Sequence, residues 1–270
     1  MDIINLLSHG FIQRALMAGS FIAILCATLG TFLVLRRFSL IGDGLAHVTF
    51  GGVAVGLFLN VYPIYAAVPV AMISSLGILK LVEKARVYGD AAIGIVSSLG
   101  IACGILLASV SGGFNIDLFS YLFGNILAIS NAEVISSIFL SLILMSVIWY
   151  YYHELLSITF DEESARASGI KTKTINGILV LLTSLTVVLA MRVVGIMLIS
   201  SLLILPPVTA LQIARGFKMT IVIASVSGVL SIILGIFFSL LFDLPSGATI
   251  VLLNFLLFVC SFVYGRLLVK

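Results

Sequence analysis

The sequence predicts an all-α, polytopic membrane protein with about nine transmembrane helices, and three observations lead there. The first is composition: 61% of the 270 residues are hydrophobic and only 9% are charged, against about 45–50% and about 25% in soluble domains. The mean hydropathy of +1.31 agrees. The second is length. Apolar stretches recur at about 20 residues, enough to cross about 30 Å of hydrocarbon at about 1.5 Å per residue. The third is that Lys and Arg fall on alternate connections between those stretches. A soluble enzyme, a nucleic-acid binder and a disordered chain are all excluded by the composition. A transmembrane β-barrel would show alternating segments of about ten residues, and none occur.

The apolar segments lie at 11–35, 40–60, 63–82, 91–111, 132–152, 174–191, 193–213, 219–242 and 247–266. Punctuation separates them: Asn60 to Pro63, Gly89-Asp90, Ser111-Gly112-Gly113, Gly216 and Pro245-Ser246-Gly247. Only Arg192 divides the sixth segment from the seventh, so one long broken helix is an open alternative there. Pro206-Pro207 is expected to break or kink the seventh segment. Arg36-Arg37, the cluster Lys80/Lys84/Arg86, Lys171/Lys173, Arg215/Lys218 and Arg266/Lys270 define one side of the membrane. The positive-inside rule makes that side cytoplasmic, with the N-terminus outside and the C-terminus inside. The connection 112–131 mixes Phe114, Leu118, Phe119, Leu122 and Phe123 with polar residues, which suits either an interfacial helix or a packed loop. With no internal repeat visible, residues 1–270 read as a single transmembrane domain.

Ionisable residues within a span cost on the order of 2.5–3.5 kcal/mol and mark functional sites by default. Asp43 and His47, near the start of the second segment, are such a pair. Their i, i+4 spacing stacks both side chains on one helical face. Gly51 continues that face, and Gly52 and Gly56 form a G-x-x-x-G pattern beside it, so the face is read as a narrow pathway lining. A carboxylate and an imidazole suit Zn²⁺, Mn²⁺ or Fe²⁺. One chain offers two donors where such an ion takes about four. A homodimer with its two-fold axis along a pathway would supply both residues twice; a structural Asp–His pair within one subunit is the competing reading.

The most polar stretch, 159–170, reads as a short capped helix on the cytoplasmic side. Thr159 or Asp161 caps its start, Glu162 and Glu163 suit its N-terminal dipole, and Gly169 ends it. Its small residues, Ala165 among them, suit close docking by another protein or an ordinary solvated helix. No G-x-x-x-x-G-K-[ST] pattern occurs, so any ATP-driven transport needs a partner chain to bind nucleotide.

Taken together in order and spacing, five stretches carry a resemblance: FSLIGDGLAHVTFGGVAVG, DAAIGIVSSLG, ITFDEESARASGI, GIMLISSLLILPPVTA and DLPSGATIVLLNF. Over nearly its whole length the chain resembles the membrane permease subunits of zinc/manganese-type ABC metal importers. The resemblance implies a homodimeric permease in the bacterial cytoplasmic membrane. Cytoplasmic ABC ATPase subunits would drive it, and an extracytoplasmic metal-binding protein would feed it. It implies no permanently bound cofactor, only a divalent ion held transiently at Asp43 and His47. It also implies that Asp161 to Gly169 is a coupling helix in the ATPase groove, with Glu162, Ala165 and Gly169 on the contact face. Two other function classes stay open at this stage. One is a proton-coupled secondary transporter using Asp43 and His47. The other is a permease for bulky metal chelates of siderophore or cobalamin type.

Overall fold

A computed structural model describes residues 10–110 and 129–268, and every regular element among them is a helix. They are α1 (Gly10–Leu35), α2 (Ile41–Phe58), α3 (Pro63–Glu83), α4 (Gly89–Val110), α5 (Asn131–Tyr150), α6 (Tyr152–Phe160), α7 (Glu162–Ala167), α8 (Thr172–Val194), α9 (Ile196–Leu211), α10 (Phe217–Phe242) and α11 (Ser246–Leu268). Helices dominate because hydrocarbon offers the backbone no hydrogen-bond partner, and a helix satisfies its own amides. The hydroxyls of Thr31, Thr49 and Thr183 follow the same logic, each donating to the carbonyl four residues earlier.

Eight of these helices are long and apolar enough to cross a membrane. Of the about nine crossings expected, eight are full-length helices among the described residues, and the ninth segment is the shorter α9, whose 16 residues reach about 24 Å. The break before α9 is corrected. It falls at Gly195, whose φ of 89° lies where a β-carbon is disfavoured. Helix α9 then continues through Pro206 and Pro207 to Leu211, so the prolines do not end it. Each proline deprives a carbonyl four residues earlier of its donor, here those of Leu202 and Leu203. The Leu203 carbonyl lies directly against Gly30 of α1, where any side chain would overlap it. The interfacial element considered at 112–131 falls, apart from residues 129–131, outside the described residues.

Burial sorts the bundle into a centre and a rim. The central helices are α1, α2 and α8, whose apolar windows are 67–72% buried; the window of α4 is only 17% buried. Helix α9 lies among α1, α2, α10 and α11. Helix α2 packs chiefly on α4 and α3, and its small residues set the spacing. Gly51 meets the Gly100 carbonyl of α4, Gly52 meets Ala67 and Val70 of α3, and Gly56 meets Pro63 and Ala66. These three glycines give α2 the close backbone approach expected of small residues, and they are buried in those contacts within the chain. At one end of the bundle, the rings of Phe32, Tyr152, Phe160 and Phe217 join the last turn of α1 to α6 and the start of α10.

Gly51→Leu should force α2 and α4 apart, since the Cβ position stands 2.5 Å from a backbone oxygen that cannot rotate away. We expect a loss of about 1–3 kcal/mol, read as a lower thermal midpoint of the purified protein in detergent.

Candidate metal site and coupling helix

Helix α2 starts at Ile41 and brings Asp43 into its first turn and His47 one turn later. Their neighbours Gly42, Gly44, Leu45 and Ala46 are buried. The two polar side chains instead emerge at the flank of the helix, Asp43 50% and His47 36% exposed. Burial around them follows from the glycines: Gly42 admits the Leu203 side chain of α9, and Gly44 admits Ile93 of α4. The polar pair is thus left on a strip of α2 that its neighbours cover only in part.

The Asp43 Oδ2 to His47 Nε2 distance is 3.7 Å, too long for a hydrogen bond. Two ligands each about 2.1 Å from a tetrahedral ion stand about 3.4 Å apart, so the observed separation suits a shared cation. The other carboxylate oxygen is engaged. Ser200 of α9 donates its hydroxyl to Asp43 Oδ1 at 2.9 Å, which restrains the carboxylate and points Oδ2 toward the imidazole. Sequence reasoning missed Ser200. It lies 157 positions away, and a serine in an apolar helix usually bonds to its own backbone. Among the described residues, no group of three or more His, Cys, Asp and Glu gathers in one place. The chain alone therefore presents two strong donors of this kind at this position, fewer than a transition metal takes.

The polar stretch after α6 folds as the short helix α7. Asp161 is its N-cap, accepting from the Ser164 amide at 3.0 Å. At the other end Gly169 adopts φ 90°. The Gly169 and Ile170 amides donate to the carbonyls of Arg166 and Ala165, the paired bonds of a Schellman ending. Nothing lies within 4 Å of a β-carbon at Gly169, so its backbone angle, not space, calls for glycine. Of the contact face expected at Glu162, Ala165 and Gly169, only Ala165 is corrected, being buried in the core. Gly169 is exposed, and Glu162 is 35% exposed while pairing with Arg36 at 3.1 Å. The outward surface is carried by Glu163, Ser164, Arg166, Ala167, Ser168 and Gly169.

The sequence profile of the ABC 3 transport family matches residues 8–265. The chain belongs to that family. It is 36% identical over 261 residues to the manganese transport system membrane protein MntC of Halalkalibacterium halodurans, covering 97% of this chain and 89% of that one. It is 34% identical over 247 residues to the high-affinity zinc uptake system membrane protein ZnuB of Haemophilus influenzae, covering 92% and 95%. Among solved structures, PsaBC from Streptococcus pneumoniae in complex with Fab superposes with a TM-score of 0.86 at 33% identity, covering 96% of this chain and 94% of that one.

Ser200→Ala should leave the fold intact and free Asp43 Oδ1. Loss of such an orienting partner costs about 10–100-fold in metal affinity. We expect a shift toward the lower end of that range, read by titrating Mn²⁺ and Zn²⁺ into the purified protein.

Proposed function

We propose that this chain is the permease subunit of an ATP-driven importer that moves divalent transition-metal ions, manganese or zinc, into a bacterial cell. The observation that carries the reading is the Asp43–His47 pair, spaced at 3.7 Å and only partly covered on the flank of an otherwise apolar helix. An ionisable pair facing lipid would be costly. A second copy of the chain would cover it and add a second Asp43 and His47, bringing the donors to four. The working unit is accordingly a homodimer, with the metal pathway on its two-fold axis.

Orientation follows from charge. Hydrogen bonds and ring contacts gather Arg36, Glu83, Asn176, Tyr152 and Phe217 at one end of the bundle. The basic connections at 36–37, 80–86, 171–173 and 215–218 begin or end there. The positive-inside rule makes that end cytoplasmic. There α7 presents its outer surface to an ATPase subunit, which supplies the nucleotide chemistry this chain lacks. At the opposite end a metal-binding protein delivers the ion. The relatives point to the same cargo class, one named for manganese and one for zinc.

The ion's passage needs capture and release alike. In this reading the cation sheds water at Asp43 and His47, exchanging hydration for a carboxylate oxygen and an imidazole nitrogen. Two ligands per subunit, one of them tethered by Ser200, hold it loosely enough to leave toward the cytoplasm when the subunits rearrange. A proton-coupled carrier would leave α7 without a role, and a chelate permease would not call for a bare-metal ligand pair.

Asp43→Asn and His47→Ala should each reduce Mn²⁺ and Zn²⁺ uptake by cells to background while membrane insertion and assembly with the ATPase persist. Normal accumulation of both ions in both variants would overturn the assignment.

A further inference from the structure

Away from the ligand pair, the densest polar cluster lies at the bundle end where α7 docks. Arg36 stands one residue beyond α1 and continues it, its amide bonded to the Phe32 carbonyl at 3.2 Å. Its side chain is only 11% exposed. The guanidinium donates to Glu162 Oε2 of α7 at 3.1 Å and to Asn176 Oδ1 of α8 at 2.7 Å. The Asn176 amide donates in turn to Glu162 Oε1 at 3.2 Å and to Glu83 Oε1, at the end of α3, at 3.5 Å. Arg166 pairs with the same Glu162 Oε1 at 3.4 Å and reaches Thr172 Oγ1 at the same distance. Burial pushes the Arg36 pKa below its usual value, while Glu162 and Glu83 oppose that shift.

Such a cluster contributes little net stability, because desolvation of the ions offsets their attraction. What it supplies is geometry. A guanidinium fork with acceptors on both arms allows few arrangements. Helix α7 has six residues, and Ala165 is its one fully buried side chain. Apolar packing alone therefore holds it weakly, and the bonds from Arg36 and Asn176 to Glu162 tie it to α1 and α8.

From Arg36 the contacts run on to the ligand pair. Two turns back along α1, Gly30 abuts the Leu203 carbonyl of α9. Leu203 also fills the space over Gly42 of α2. One turn back along α9, Ser200 holds Asp43. We propose that Arg36 is the positioning residue through which displacement of α7 reaches Asp43, by way of α1, the Gly30–Leu203 contact and Ser200; this rests on the permease reading above. A push on α7 moves Glu162, the fork drags the end of α1, and α1 shifts α9 against α2. The carboxylate then changes its hold on the ion as the partner subunit turns over.

The test uses the whole transporter, this chain with its ATPase and delivery protein, reconstituted in proteoliposomes. Two quantities are measured: Mn²⁺ bound without nucleotide, and Mn²⁺ transported per ATP hydrolysed. Arg36→Gln should leave nucleotide-free binding within error of wild type and lower transport per ATP about tenfold. Arg36→Lys, which keeps the charge but loses the fork, should recover part of that loss. Arg36→Gln combined with Glu162→Gln should be no worse than Arg36→Gln alone. Should Arg36→Gln fail to assemble, Asn176→Ala removes one acceptor of the fork and should lower the ratio about threefold. A wild-type ratio in the assembled variants overturns the role of Arg36, as does full recovery by Arg36→Lys, which would leave the fork without a part. Wild-type Mn²⁺ binding that is indifferent to Asp43→Asn would instead overturn the permease site itself, and the two failures are thereby told apart.

Discussion

The structure depends on one constraint: inside hydrocarbon, a polar group without a partner is costly, so each one must be bonded, covered or used. The backbone meets it by forming helices, and threonines such as Thr31 and Thr49 meet it by bonding to their own helix. Asp43 and His47 do not fit either solution. Their neighbours on α2 are sunk against α4 and α9 by Gly42 and Gly44, while the acid and the imidazole remain partly open, one carboxylate oxygen held by Ser200. A protein that leaves this pair partly uncovered at the flank of a spanning helix needs either a second copy or a cargo, and the proposed importer has both.

Small residues recur wherever the bundle must come close. Gly30 receives the carbonyl that Pro207 orphans, Gly42 receives Leu203, and Gly51 lies on the Gly100 backbone. These contacts differ in consequence. The Gly51, Gly52 and Gly56 contacts join α2 to its rim neighbours. The Gly30 and Gly42 contacts place α9 between α1 and α2, so movement of any one of the three is felt by the others. Interfaces packed this closely shift between discrete arrangements more readily than they deform. The same geometry that seats α9 also delivers the Ser200 hydroxyl to Asp43. Packing and ligand orientation are therefore one design problem here.

Polar contacts at the two proposed functional places differ in kind. At the ligand pair there is one hydrogen bond to a carboxylate, which orients without immobilising. Around Arg36 several bonds converge on a buried fork, which fixes α7 against α1, α3 and α8. A loosely held ligand suits an ion in transit, and a rigidly anchored short helix suits the transmission of force from a partner.

The sequence by itself determined the all-helical membrane class, the positions of the long segments within a few residues, the acid–imidazole pair and a short capped helix within 159–170. All of these are local. Hydropathy, i, i+4 spacing, an Asp at an N-cap and a Gly beyond a C-cap act within a turn or two of chain. What tertiary structure decided is which side of a local pattern meets what. Glu162 and Ala165 read as small and polar enough to face a partner, but Arg36, over a hundred positions away, pairs with the first and the bundle buries the second. Pro206 and Pro207 read as a break, yet the neighbouring Gly30 makes room for the freed carbonyl and the helix carries on, while Gly195 takes the turn. Ser200 carries no signal in its own segment because its partner is on another helix. Contacts between distant segments depend on how helices pack, and packing is a property of the assembled bundle that no single stretch of sequence encodes.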